Sequence, residues 1–390
     1  MRWTSLLLVA LSAGTAIPTA AQTEHGAFIM TLGKDTVAID QYARTPRFID
    51  GALLVRSPVT RVATYRARLR EDGTIERLEN RWWTPTPDAG PPQPADVVAT
   101  FFGDSVRIDY LRGSDIRQVT QAAGHGTVPL VNSVYSAVLY EQALRQGFAT
   151  GSRDFSMEWL DLGRRGRVST TSVAGRGQDS VSIGFFAGTL VARVDEAGHI
   201  LGLHGLESTA KFTAKRVADV DMKLVAADFG ARDAAGQGLG TMSPRDTVRS
   251  LVLGAIVEVD YSRPSRRDRV IWGGVVPWNT VWRTGANRAT HFSTDTDLII
   301  DGVSVPAGSY TLFTWPTQEE TQLIISKQTG QWGTVYREEN DLARIVMRVE
   351  LLDQPVEKFT ITIGDHDGTG MIALDWGDRR YWVPVAVKGD

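Results

Sequence analysis

The chain has 390 residues and no cysteine, which excludes disulfides, thiolate nucleophiles and Cys-based zinc sites. Its formal net charge is −3, without a long basic run, and this argues against nucleic acid as a partner. The length suits two domains of about 150–200 residues, each able to bury a core of its own.

Residues 1–21 read as a signal peptide: a charge at Arg2, the apolar run Leu6-Leu7-Leu8-Val9-Ala10-Leu11, then small residues up to Thr19-Ala20-Ala21. Cleavage is expected after Ala21, giving an exported protein of the periplasm or the medium. The apolar run is shorter than the ~20 residues a bilayer needs, and no later stretch approaches that length, so the mature chain is read as not membrane-spanning.

From Gly26 the polarity alternates with period two. In Val62-Ala63-Thr64-Tyr65-Arg66-Ala67-Arg68-Leu69 one face carries Ala63, Tyr65, Ala67 and Leu69, and the other carries Thr64, Arg66 and Arg68. Glu71-Asp72-Gly73-Thr74 then supplies a hairpin turn. The rhythm recurs over 26–43, 105–111 and 154–216, so residues 22–235 are expected to form an antiparallel meander, an open or barrel-like sheet. The proline-rich stretch 84–94 cannot hold a ladder and reads as a loop. Over 129–146 the period changes: Leu130, Val131, Val134, Tyr135, Val138, Leu139 and Ala143 recur at three and four, and Gly147 stops the run. This is the one good helix, expected to cover or plug one side of the sheet.

Residues 236–245, small and flexible in composition, are taken as a linker. Seven of the 11 tryptophans follow it. Eight short strands are expected at 256–259, 297–300, 309–315, 321–326, 345–351, 359–363, 371–376 and 382–387, which makes 246–390 a β-sandwich and the whole protein all-β.

The densest recognition chemistry lies in Val281-Trp282-Arg283-Thr284-Gly285-Ala286-Asn287-Arg288-Ala289-Thr290, four residues after Trp278. Together with Tyr261-Ser262-Arg263-Pro264-Ser265, Gly273, Val276-Pro277-Trp278, Pro306-Ala307-Gly308-Ser309-Tyr310-Thr311-Leu312-Phe313-Thr314, Gln331-Trp332-Gly333, Asp341 and Arg344, this stretch resembles the bacterial exported family known as domain of unknown function 2911. The resemblance covers the C-terminal portion only. It implies export and carries no established activity, so no catalytic residue is transferred.

Trp278, Trp282, Arg283, Asn287, Arg263 and Trp332 form the candidate ligand-binding set. If 278–282 is a strand, Trp278 and Trp282 share a face about 13 Å apart and Arg283 points away, unless a bulge before Gly285 turns it back. Exposed indoles would stack on sugar or aromatic rings; buried ones are core mass. Arg283 and Asn287 could grip a carboxylate, a phosphate or a sugar hydroxyl, or could pin the turn. Asp365-His366-Asp367-Gly368 and the pair Asp295 and Asp297 lack calcium-loop spacing and read as turns. His199 and His204 face opposite sides of a strand, which rules out a two-His clamp. There is no Gly-x-Ser-x-Gly elbow or His-Glu-x-x-His helix. Ser208-Thr209-Ala210-Lys211 spells Ser-x-x-Lys in an extended context, a chance match. No cofactor or metal is expected. The reading is an exported binding or structural protein whose C-terminal domain takes a small molecule or a cell-envelope glycan. The alternative is a hydrolase with His291 or His366 as base near Asp295, Asp365 or Asp367, which requires a His within ~3 Å of a carboxylate in a cleft.

Overall fold

A computed structural model describes residues 23–85, 95–164, 166–366 and 368–388. The expected signal peptide, most of the proline-rich loop and Asp367 lie outside these residues.

Strand Glu24–Leu32 sits in the middle of a 15-stranded sheet. On one side the strands follow in sequence order to an edge at Asp115–Ala122. On the other side Glu24–Leu32 pairs with Thr213–Val217, and the sheet then runs backward along the chain to an edge at Val128–Leu130. Pairing is antiparallel throughout, except where Val128–Leu130 lies parallel to Phe155–Asp161. The two edges do not join, so this is an open, barrel-like meander. Alternation holds as expected: strand Arg61–Leu69 buries Ala63, Tyr65, Ala67 and Leu69 and exposes Arg66 and Arg68. Asp72 closes the following hairpin by accepting the Thr74 amide at 2.9 Å.

Helix α1 spans Ala137–Phe148 and is the plug of this sheet, with Ala137 through Leu144 all buried. It begins later than the periodicity suggested, because the Asn132 side chain takes the amides of Val134 and Tyr135 at 2.9 and 3.0 Å and holds that segment in a turn. A helix buried all round must satisfy its polar groups from the surrounding sheet. Asp40 accepts the Val138 amide (2.9 Å) and the Tyr65 hydroxyl (3.0 Å). Glu141, fully buried, accepts from Arg44 (2.8 Å), from the Ile200 amide (2.8 Å) and from Arg216. Gln142 and Gln146 both donate to the Gly73 carbonyl, at 2.8 and 2.9 Å.

The expectation of one helix is corrected by α2, Met222–Ala234, capped by Asp221 through the Leu224 amide at 2.9 Å. It packs Ala226, Val225 and Phe229 on the outer face of the sheet, against Ile39, Leu54 and Val62. Its apolar stripe is weak, with Ala226 its one fully buried residue, so periodicity did not reveal it.

A second sheet of nine strands begins at Arg245–Val252. Two pairs of expected strands prove continuous: 345–351 and 359–363 lie in Asp341–His366, and 371–376 and 382–387 lie in Thr369–Val387. The register of this long hairpin shifts between Leu351 and Val356 and again between Val356 and Thr360, where the ribbon bends. One sheet thereby folds back over its own core. The Ile361 amide donates to the Tyr261 hydroxyl at 3.0 Å, and Tyr261 meets Phe359 edge-on at 5.7 Å. Among the described residues no helix is long and apolar enough to cross a membrane.

Burial pushes the Asp40 carboxyl up to about 7, with Glu141 adding to the rise and the bonds from Val138 and Tyr65 opposing it. A raised folded pKa contributes stability that is complete below the ordinary value of 3.8 and is lost as pH rises through about 7. In urea titrations the advantage of wild type over Asp40→Asn should therefore shrink between about pH 4 and pH 7 and level off above. A difference independent of pH would mean that Asp40 ionises normally.

Candidate functional site

The stretch from Pro277 to Ala289 forms no strand. Its backbone enters the left-handed region at Asn279 (φ 58°), Thr284 (φ 49°) and Asn287 (φ 61°), and Gly285 has φ 150°. These reversals overturn the conditional picture of Trp278 and Trp282 on one strand face. The loop is pinned on two sides. Trp282 exchanges backbone hydrogen bonds of 2.7 and 2.9 Å with Thr314, and the Gly333 amide donates to the Asn287 carbonyl at 3.1 Å. A β-branched residue such as Thr284 in the left-handed region costs on the order of 1 kcal/mol or more, which the surrounding fold must offset. Gly333 is required by contact: a Cβ there would lie 2.6 Å from the Asn287 carbonyl oxygen and 2.7 Å from Arg283 Cδ. The glycine of Gln331-Trp332-Gly333 lets the stem of Arg283 lie flat.

Four of the six candidate residues meet. Trp282, Arg283, Asn287 and Trp332 line one cavity of about 710 Å³. Trp282 is both wall and core: it stacks on Trp376 at 5.7 Å and meets Phe359 and Trp272 edge-on at 5.1 and 6.0 Å. Trp332 stands at the rim, 51% exposed. The other two lie elsewhere. Trp278 is partly buried beside Gly273 and under the Arg379 guanidinium, 5.8 Å from its ring. Arg263 ties the folded sheet together, donating to the Phe359 carbonyl (3.1 Å), Asp246 (2.9 Å) and Thr360 (2.8 Å).

The opposite wall comes from strands of the first sheet and the turns that join them, and includes Tyr135, Phe185, Phe186, Leu206 and Lys211. Several contacts hold the walls face to face, among them the ion pair of Lys34 with Asp268 at 3.1 Å. The Lys34 amide donates to the Arg267 carbonyl at 3.2 Å, and Arg267 pairs with Asp35. Gly33 lies so close beneath that a Cβ would sit 2.0 Å from the same carbonyl.

Residues 243–385 match the family model described as Protein of unknown function (DUF2911). No curated protein matches the chain. One wall of the cavity thus lies within the DUF2911 region and the other outside it. Sequence reasoning missed that other wall because residues far apart in the chain form it. Lys211, dismissed with the Ser-x-x-Lys string, occupies a hairpin turn with φ 54° and points its ammonium at the Leu206 carbonyl, 2.8 Å away. Ser208 donates to the Gly205 carbonyl at 2.7 Å and serves that turn.

The polar part of the cavity is cationic. Arg283 has one long hydrogen bond, 3.5 Å to the Gly285 carbonyl, and no carboxylate within ion-pair distance among the described residues. Burial holds its guanidinium down to about 10. Arg269 donates to the carbonyls of Arg266 (2.9 Å) and Ser265 (2.6 Å), and burial together with the charge of Arg267 lowers it to about 10. Burial, then the charges of Arg269 and Arg283, lowers Lys211. Arg269 and Arg283 stay cationic at neutral pH.

The histidines proposed for hydrolysis lie outside this cavity. His291 Nε2 accepts the Gly330 amide at 3.2 Å, while Asp295 accepts the Ile256 amide at 2.8 Å. His366 is 3.6 Å from Glu350 and packs on Trp382, and Asp365 accepts the Gly368 amide at 2.9 Å. Among the described residues no three His, Asp or Glu side chains are grouped to hold a metal.

Trp282→Ala should cost about 3–5 kcal/mol in urea unfolding, since it empties the aromatic core. Arg283→Met should leave stability unchanged or raise it by about 1 kcal/mol, because it removes a desolvated charge that has no partner. Equal losses for the two variants would mean that Arg283 is a structural clamp.

Proposed function

We propose that the protein is an exported binding protein that holds a small molecule in the cavity between its two sheets. The observation that carries this reading is the cavity itself. About 710 Å³ lies within the ~300–1,000 Å³ typical of small-molecule sites, and junctions between domains are a preferred place for them. Its walls are mainly aromatic and aliphatic, with a few polar side chains among them, and part of its loop is held in strained backbone. Export is supported by the composition of residues 1–21. A cell-envelope glycan is the second ligand class, favoured by the exposed indole of Trp332 at the rim. The hydrolase alternative gains no support from the placement of His291 and His366.

The test is thermal denaturation of the mature full-length protein against amphipathic acids, cell-envelope glycans, peptidoglycan fragments and phosphorylated metabolites. A ligand at a hundredfold excess over its dissociation constant stabilises the native state by about 2.7 kcal/mol. The shift should vanish in Trp332→Ala, which strips one wall, and in Ala187→Trp, which fills space from the other. A shift that survives both variants would place the ligand elsewhere, and no shift from any class would overturn the binding reading.

A further inference from the structure

The charged residues lining the cavity are Glu207, Lys211, Arg267, Arg269 and Arg283. Two of them are neutralised within the protein: Glu207 pairs with Arg176 at 2.6 Å, and Arg267 pairs with Asp35. The remaining three donate only to backbone carbonyls; Arg269 also feels the charges of Glu357 and Asp35, whereas no carboxylate is among the charges that act on Arg283 or Lys211. Desolvated cations without a counter-charge are costly, and a fold retains them where a bound anion completes the site. Arg283 carries this furthest, since its stem is seated on Gly333 and its loop is held by the Trp282 and Asn287 backbone bonds. The guanidinium is therefore pre-positioned and has donors to spare for a two-oxygen acceptor.

The rest of the lining argues about the body of the ligand. Around the cations stand Tyr135, Phe185, Val281, Trp282 and Phe313, and at the mouth Phe186 is 61% exposed. Inorganic phosphate or a small polar acid would leave this apolar surface wet, whereas an apolar chain or ring would cover it, at about 25 cal/mol per Å² buried. We propose that the cavity binds an amphipathic anion: a carboxylate or phosphate head on Arg283, flanked by Lys211 and Arg269, with an apolar body against the aromatic walls of both sheets. This rests on the binding reading and narrows it to one ligand chemistry.

The experiment uses the mature full-length protein and four probes of graded chemistry: decanoate, decyl phosphate, decanol and inorganic phosphate. Affinity is measured by calorimetry below the micelle concentration of each amphiphile, in moderate salt. Decanoate and decyl phosphate should bind, decanol should bind at least tenfold more weakly, and inorganic phosphate should not bind measurably. Comparison of the two anions distinguishes a carboxylate head from a phosphate head. In Arg283→Met the anions should fall to the affinity of decanol while decanol itself is unchanged, with an unfolding midpoint at or above wild type; Arg283→Lys should recover part of the loss. Equal binding of decanol and decanoate would overturn the anionic head and leave the binding function standing. Binding of inorganic phosphate as tight as decyl phosphate would overturn the apolar body. If no probe binds while a glycan shifts the midpoint through Trp332, the amphipathic anion is wrong and the cavity still takes a ligand. If nothing binds at all, both readings fall.

Discussion

A carboxylate without exposure to water, Glu141, ties the first sheet together. It comes from the only helix inside the sheet among the described residues. Its partners come from both halves of the meander: Arg44 from the strand Asp35–Arg44, and Arg216 and the Ile200 amide from the strands that return. Glu24 joins the network through Arg44, Arg145, Arg216 and Tyr42. Burial works against its charge, yet the Tyr42 bond and the charges of Arg44 and Arg145 hold it at about 2. Such networks contribute little net energy against a hydrophobic substitute, but breaking one leaves uncompensated charge in the interior. What this one supplies is register. An open sheet with unpaired edges can curl to many radii, and the helix, satisfied from both sides, selects one.

That curvature has a consequence at the junction with the second sheet. The hairpin around Gly33 rests on the Arg267 carbonyl, and this close contact brings the turn of Lys211 opposite the loop of Arg283. Neither wall forms a pocket by itself. The strain at Thr284 and the close fit at Gly333 show a loop built for position, since ordinary turn chemistry would reach a hairpin at lower cost. The aromatic cluster of Trp272, Trp282, Phe359 and Trp376 behind it supplies the rigidity that such strain demands.

Trp282 packs in the core and also lines the cavity. Its stacking on Trp376 makes it core, and its remaining surface makes it cavity wall. Arg263 and Arg283, equally prominent in the sequence, divide cleanly: Arg263 spends its donors on Asp246, Thr360 and the Phe359 carbonyl, while Arg283 keeps its own for the cavity. Nothing local distinguishes them. The difference lies in whether a distant strand supplies an acceptor.

The all-β class, the meander, the presence of α1 and the likeness of the C-terminal region to DUF2911 were legible in the sequence, because period-two alternation, period-3.6 spacing and an ordered motif are local properties of the chain. The stretch from Val281 to Asn287 also stands out there, since a glycine between a guanidinium and an amide is visible without a fold. Only the tertiary structure decided that α1 is the plug of a curled sheet, that two expected strand pairs are one bent hairpin, and that Lys211 faces Arg283. Those outcomes depend on which residues distant in sequence meet, and on which charges are left without a partner when they do.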